Sequence, residues 1–195
     1  VAPPGFVQEV DVPLVTLAVA IRDKAGKPIR DIARQEVSVL DAGKPVLISH
    51  WDSRGGQLSV AIVIDTSNSM KGDRIVGARE AAAAFLRQLS PQDRALLLQF
   101  NDEPSLVLPL SSATGETISA VDKLEARGGT SLYDAVHLGA SLLSDASPDS
   151  KRVIVLLSDG RDESASGLEP GSLHTLDEAV RAAHDNDCTI FSIGL

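Results

Sequence analysis

Leu58-Ser59-Val60-Ala61-Ile62-Val63-Ile64-Asp65-Thr66-Ser67-Asn68-Ser69 is the stretch from which the fold can be read. It begins as a near-continuous apolar run and turns abruptly into carboxylate and hydroxyl side chains. A short run of this kind reads as a strand covered on both faces, the pattern of a parallel sheet between helices. It is far below the ~20 apolar residues that a membrane-spanning helix requires. Downstream, Ile75, Ala78, Ala82, Phe85, Leu86 and Leu89 recur at helical spacing until Ser90-Pro91 ends the pattern. The order is therefore strand, polar loop, helix.

Working toward the C-terminus, the alternation continues. Arg94–Phe100 reads as a second strand, and Asn101-Asp102-Glu103-Pro104 as a turn into an antiparallel neighbour at Ser105–Leu110. Two helices are expected at Glu116–Ala126 and Ser131–Ser144, separated by Arg127-Gly128-Gly129-Thr130. Val153–Ser158 is the next buried strand. Thr175-Leu176-Asp177-Glu178 is a capping box opening a helix that ends near Asn186, and Cys188–Ile193 is the last strand. The fold class is α/β: a Rossmann-like, doubly wound, mostly parallel sheet with one antiparallel edge strand. Counting chain direction along these elements brings Asp65, Thr130 and Asp159 to the same edge of the sheet. That is the C-terminal edge, where open α/β sheets bind ligands.

The first loop at this edge carries Asp65, Ser67 and Ser69 at alternate positions, so in an extended loop they point the same way, while Thr66 and Asn68 face elsewhere. Gly128 and Gly129 permit a close backbone approach before Thr130, and Gly160 follows Asp159. Asp and Ser also cap strand-to-helix turns, but capping does not explain why all three loops carry oxygen donors. Five oxygen donors without nitrogen or sulfur suit a hard cation: Mg²⁺, with Mn²⁺ or Ca²⁺ as substitutes. Three of the five are neutral hydroxyls, and if the carboxylates act partly through bound waters, an ion held there stays electron-poor and favours an incoming anionic oxygen, such as a partner's carboxylate.

Before Ser53–Gln57 the texture is different. Val10–Ile21 reads as a long strand followed by the turn cluster Asp23–Pro28. Glu36–Leu40 and Pro45–Trp51 read as a hairpin through Asp41-Ala42-Gly43-Lys44. Residues 1–55 are thus expected to form a small all-β module and residues 56–195 the α/β domain. The 195 residues are 43% apolar with a net charge of −9, which excludes dominant disorder and argues against nucleic acid or anionic lipid as an electrostatic partner. Aromatics at 3% provide no base-stacking platform, and the single Cys188 excludes an intrachain disulfide. His50, His137, His174 and His184 lack ligand spacing. Asp102 and Glu103 read as a solvated turn, Asp134 as a brace or solvent-facing residue, and Asp162 and Glu163 as negative potential beside the site. No charged-then-apolar leader opens the chain, so a targeting peptide is expected to be absent or already removed.

Asp65-Thr66-Ser67-Asn68-Ser69-Met70, Gly129-Thr130-Ser131-Leu132-Tyr133-Asp134 and Leu157-Ser158-Asp159-Gly160 together resemble the three loops of a von Willebrand factor A domain with its metal-ion-dependent adhesion site. The resemblance covers about residues 57–195. It implies metal-binding roles for Asp65, Ser67, Ser69, Thr130 and Asp159, the aspartates often acting through water. It also implies a Mg²⁺ preference, capture of a partner's acidic side chain, and no enzymatic activity. The N-terminal segment is similar to one that precedes this domain in a bacterial group best known from acidobacteria, which implies a periplasmic or extracellular location. Members of the family usually continue with a further strand and a C-terminal helix, so the chain is expected to be truncated, with an exposed sheet edge and no helix-shift switch carried over. Two other functions compete. One is Mg²⁺-dependent phosphoryl transfer from Asp65, disfavoured because position 67 is Ser and only Lys71 and Arg161 are cations nearby. The other is a scaffold segment of a larger exported protein.

Overall fold

A computed structural model of the chain describes residues 19, 21–24, 29, 32–51 and 57–195, in two compact units that divide between Gly55 and Gly56. All of the expected strand Val10–Ile21 except Val19 and Ile21, and most of the turn after it, lie outside the described residues. In the first unit, β1 (Val39–Asp41) pairs antiparallel with β2 (Lys44–Val46). Ala42 and Gly43 turn between them with φ of 46° and 80°, the left-handed pair that matches the twist of a two-residue hairpin. Both strands are shorter than the sequence suggests. Arg34–Glu36 form a 3-10 turn, with the Ala33 N–H donating to Glu36 Oε2 at 2.7 Å. Beyond Val46, the Ile48 carbonyl accepts the Arg34 guanidinium (3.2 and 2.5 Å) in place of a ladder bond. The indole N–H of Trp51 donates to the Ile32 carbonyl at 3.1 Å.

The second unit is built on β3 (Leu58–Asp65), β4 (Arg94–Phe100), β5 (Pro104–Ser111), β6 (Lys151–Ser158) and β7 (Cys188–Gly194), in the order β5-β4-β3-β6-β7. All neighbours are parallel except β4 and β5, so the antiparallel strand is an edge strand. Side chains alternate between the faces of β3. Val60, Ile62 and Ile64 pack against Ile75, Ala78, Ala82 and Leu86 of α1 (Asp73–Leu86) and Val121 of α2 (Thr114–Val121). Ala61 and Val63 pack against α3 (Leu132–Leu143) and α4 (Leu176–Asp185) through Ala135, Val136, Ala140, Leu143, Ala179 and Ala183. Each fully buried branched side chain here contributes about 1.5–3 kcal/mol relative to exposure.

Two helices stop earlier than their apolar periodicity suggests. After α1, the Gln88 and Leu89 N–H groups bond only three residues back, and the buried Asp93 carboxylate takes the Ser90 N–H at 2.8 Å and the Leu58 N–H at 2.8 Å. This ties the helix exit to the start of β3. The helix expected at Glu116–Ala126 ends at Val121 because tertiary bonds draw the following residues off the helix axis. The Arg79 guanidinium takes the Leu124 carbonyl, and the Arg127 N–H reaches the Thr66 carbonyl at 2.6 Å. At the other edge of the sheet, β7 has β6 as its hydrogen-bonded neighbour among the described residues, and Phe191 is 57% exposed. No described helix is long and apolar enough to cross a membrane.

Candidate metal centre

The first connection runs to one side of β3 and the later chain to the other, so the sheet has its switch point at β3, where ligand crevices form beyond the strand C-termini. Asp65 ends β3 there and is fully buried. The Ser67 N–H donates to its Oδ1 at 2.8 Å. Pairing of Ile64 with Leu157 brings Ser158 alongside, and its hydroxyl donates to Asp65 Oδ2 at 2.7 Å. Burial pushes the Asp65 carboxyl above its ordinary pKa, and the neighbouring Asp159 charge adds to the rise. The hydrogen bonds from Ser67 and Ser158 pull the other way without cancelling it. The Ser67 and Ser69 hydroxyls converge to 2.9 Å, as alternation in the sequence suggests. Thr66 faces away, its hydroxyl donating to the Phe100 carbonyl at 2.9 Å.

The second loop is stitched to the first through backbone: the Asn68 N–H donates to the Gly128 carbonyl at 3.0 Å, beside the bond from Arg127 to Thr66. Thr130 is buried, and its N–H and C=O both pair with Glu163 (2.8 and 3.2 Å), which joins the second loop to the segment after β6. The glycines before it are required by space. A Cβ on Gly129 would lie 2.6 Å from the Ala165 nitrogen, and one on Gly128, at φ +77°, would enter the Asp102 carboxylate.

The third loop supplies Asp159, directly after β6. Its Oδ2 accepts Arg74 Nη1 at 3.0 Å, and the same nitrogen donates to the Ser69 carbonyl at 3.1 Å. Its Oδ1 is buried without a hydrogen-bond partner. The structure thus links Asp65 to Ser67 through the Ser67 N–H, Ser67 to Ser69 through their hydroxyls, and Asp159 to the Ser69 carbonyl through Arg74, and carries Thr130 to the same edge by backbone pairing.

Several supporting residues were misread or missed in the sequence. Asp102 is no merely solvated turn residue: its Oδ1 accepts the Gly129 N–H at 2.7 Å and holds the second loop. Asp162 is likewise more than background potential. Its carboxylate accepts the N–H groups of Leu132 (2.9 Å), Gly171 (3.1 Å) and Ser172 (3.2 Å) and the Ser172 hydroxyl (2.5 Å). Ser172 Oγ in turn accepts the Tyr133 and Asp134 N–H groups (2.9 and 3.1 Å), so the loop after β6 caps the start of α3. Asp134 returns the bond, accepting the N–H groups of Leu173 and His174 and the His174 ring. Burial raises its carboxyl pKa, but these donors outweigh burial and hold it below the ordinary value. Arg161, one of the two cations noted near the site, pairs with Glu163 at 3.4 Å, whereas Arg74 is the cation that reaches Asp159. Only Ser158 had a local signal, as the polar residue ending an apolar strand.

His137 and His174, 37 positions apart, stack with ring centroids 4.0 Å apart. Among the described residues no group of three or more His, Cys, Asp or Glu is placed to hold a metal. Any cation site at this edge thus depends on hydroxyl oxygens as well as carboxylates.

Comparison with known proteins agrees with this architecture. The profile of the von Willebrand factor type A domain matches residues 60–161. Over 147 residues the chain is 31% identical to inter alpha-trypsin inhibitor heavy chain 4 of Mus musculus, an alignment covering 70% of this chain and 15% of that protein. The chain therefore spans about a sixth of the length of such relatives. Among solved structures it is similar to the conserved hypothetical protein BatB of Bacteroides thetaiotaomicron (TM-score 0.60, 19% identity, covering 70% of this chain and 66% of that one). It is also similar to a von Willebrand factor type A protein from Catenulispora acidiphila (TM-score 0.58, 23% identity, 71% and 33%). A third is the vWF domain of the type V pili tip protein Mfa5 from Porphyromonas gingivalis (TM-score 0.51, 22% identity, 55% and 39%).

Proposed function

The chain belongs to the von Willebrand factor type A family, and on that premise we propose that it is a non-enzymatic binding module that uses a divalent cation, Mg²⁺ in the first instance, to capture a carboxylate of a protein partner. The observation that carries this reading is the buried, partnerless Asp159 Oδ1 at the same edge as the buried Asp65, whose ionised form burial disfavours. Two carboxylates with a single neighbouring guanidinium leave a net negative charge that attracts a divalent ion. Ser67, Ser69 and Thr130 would supply hydroxyl oxygens, and Asp65 and Asp159 would supply the charge. Mn²⁺ or Ca²⁺ would fit the same oxygen chemistry less selectively. When bound, the ion would act as a Lewis-acidic anchor for an anionic oxygen.

The chain's own residues do the positioning. Ser158 and the Ser67 N–H orient the Asp65 carboxylate, and Asp102 holds the Thr130 loop. Both Asp65 oxygens accept hydrogen bonds and the residue is inaccessible, which argues against a phosphoryl-accepting nucleophile despite the nearby Arg74. Membership of a pilus-tip protein in the same fold supports placing the protein outside the cytoplasm. An exported setting, with residues 1–55 as an accessory β-module before the α/β domain, completes the proposal.

Thermal unfolding with Mg²⁺ against EDTA tests the metal. Saturation at a hundred times Kd adds about 2.7 kcal/mol, roughly 5–10 °C in Tm for a chain of this size. Asp65→Ala and Asp159→Ala should each remove the shift, and isothermal titration showing no divalent binding by the wild type would defeat the reading. The carboxylate is tested by titrating an aspartate-bearing peptide with Mg²⁺ and with EDTA. Equal binding in both would dismiss ion-mediated capture.

A further inference from the structure

Arg74 is the second residue of α1, and its guanidinium bridges two of the three loops through one nitrogen, donating to Asp159 Oδ2 and to the Ser69 carbonyl. Its side chain is 50% exposed while that of Asp159 is 11% exposed, so the charge reaches inward from the rim. Guanidinium stays protonated at any relevant pH. We infer that Arg74 is a tethered competitor for the cation: it partly neutralises Asp159 when no ion is present and must give way, wholly or in part, when one binds. The inference rests on the metal reading above and extends it to a residue outside the proposed donor set.

Charge determines the direction of the effect. Asp65 and Asp159 carry two negative charges, and Arg74 returns one positive charge. A divalent ion entering with Arg74 in place would bring the site to a net positive charge, with the ion and the guanidinium facing the same carboxylate. Their repulsion weakens ion binding, and withdrawal of Arg74 relieves it at the cost of the bonds to Asp159 and Ser69. Removing the side chain therefore lowers stability without the ion and raises affinity for it. A residue that merely positioned Asp159 would give the opposite sign, because its loss would loosen the loop and weaken binding. Lys71, an exposed cation three positions earlier, controls for the general loss of one positive charge near the site.

The test is isothermal titration of MgCl₂ into wild type, Arg74→Gln and Lys71→Gln, with melting of each in EDTA and in saturating Mg²⁺. Arg74→Gln should bind Mg²⁺ about two- to fivefold more tightly, the range set by a half-exposed ion pair. It should also melt lower than wild type in EDTA and match it in Mg²⁺. Lys71→Gln should change Kd by less. Equal or weaker binding by Arg74→Gln, or a gain no larger than that of Lys71→Gln, overturns the inference while leaving the metal reading intact. Absence of Mg²⁺ binding by all three proteins overturns both.

Discussion

Gly171→Ala offers the most demanding test of how the site is assembled. Nothing about the Gly171 backbone conformation requires glycine; the constraint is space. A Cβ there would lie 2.7 Å from the Thr130 carbonyl carbon and 2.9 Å from the Glu163 oxygen, and closer still to the Thr130 oxygen. Those atoms form the two-way bridge between Thr130 and Glu163, so relief requires one backbone segment to move away from the other rather than a side chain to rotate. Overpacking of this kind costs about 1–3 kcal/mol, and weakening the bridge adds roughly 1 kcal/mol for each hydrogen bond. The expected loss is about 2–4 kcal/mol, a fall of roughly 5–15 °C in Tm. Amide exchange gives the local readout: the Thr130 and Glu163 N–H groups should lose protection in the variant, while β3 amides stay protected until global unfolding. The matched control is Gly167→Ala in the same loop, where a Cβ meets nothing within 4 Å but the φ of +68° is strained. It should cost about 1 kcal/mol and leave the bridge amides unchanged. A Gly171→Ala protein within 0.5 kcal/mol of wild type, with both bridge amides still protected, would refute the packing described around Thr130.

Other perturbations probe the supporting elements. Asp134 has a folded pKa below its unfolded value of 3.8, so its contribution to stability is present above 3.8 and disappears as pH falls through that value toward the lowered one. Unfolding followed between about pH 6 and pH 3 should therefore show wild type losing more stability than Asp134→Asn; parallel curves would deny the Asp134 carboxylate this role. Thr175 caps α4, its Oγ1 accepting the Glu178 N–H at 3.3 Å while its N–H donates to Glu178 Oε2 at 2.8 Å. Thr175→Ala should cost about 1 kcal/mol in denaturant unfolding, and most of that cost should persist when Glu178 is already replaced by Ala, because the backbone N–H at 178 still needs its cap; a cost that vanishes in that background would deny Thr175 the capping role.

The legible and illegible parts of this molecule differ in kind. The order of strands and helices in residues 58–194 follows from local pattern, because burial on two faces imposes a continuous apolar run and burial on one helix face imposes a 3.6-residue period. The convergence of the first loop was legible for a similar reason: the spacing of Asp65, Ser67 and Ser69 is set by how an extended loop alternates its side chains, and the Ser67 and Ser69 hydroxyls do converge. Helix ends were less legible. The stretch after Val121 keeps apolar residues but bends away, because the Thr66 carbonyl and the Arg79 guanidinium outbid another helical turn, and neither partner is near in sequence.

By itself, the chain's order of residues determined an α/β layer architecture and a set of hydroxyl and carboxylate side chains sharing one sheet edge. Only the folded chain decided which groups meet there. Ser158 reaches Asp65 across 93 positions because the register of β3 with β6 sets them side by side. Arg74 reaches Asp159 across 85 because α1 begins just beyond the first loop. Asp102 and Asp162, each readable as a surface charge, become the acceptors that hold the second loop and the start of α3. Periodicity is a property of neighbours along the chain, whereas a hydrogen-bond partner is fixed by register, helix length and loop closure, and those depend on the whole packed domain.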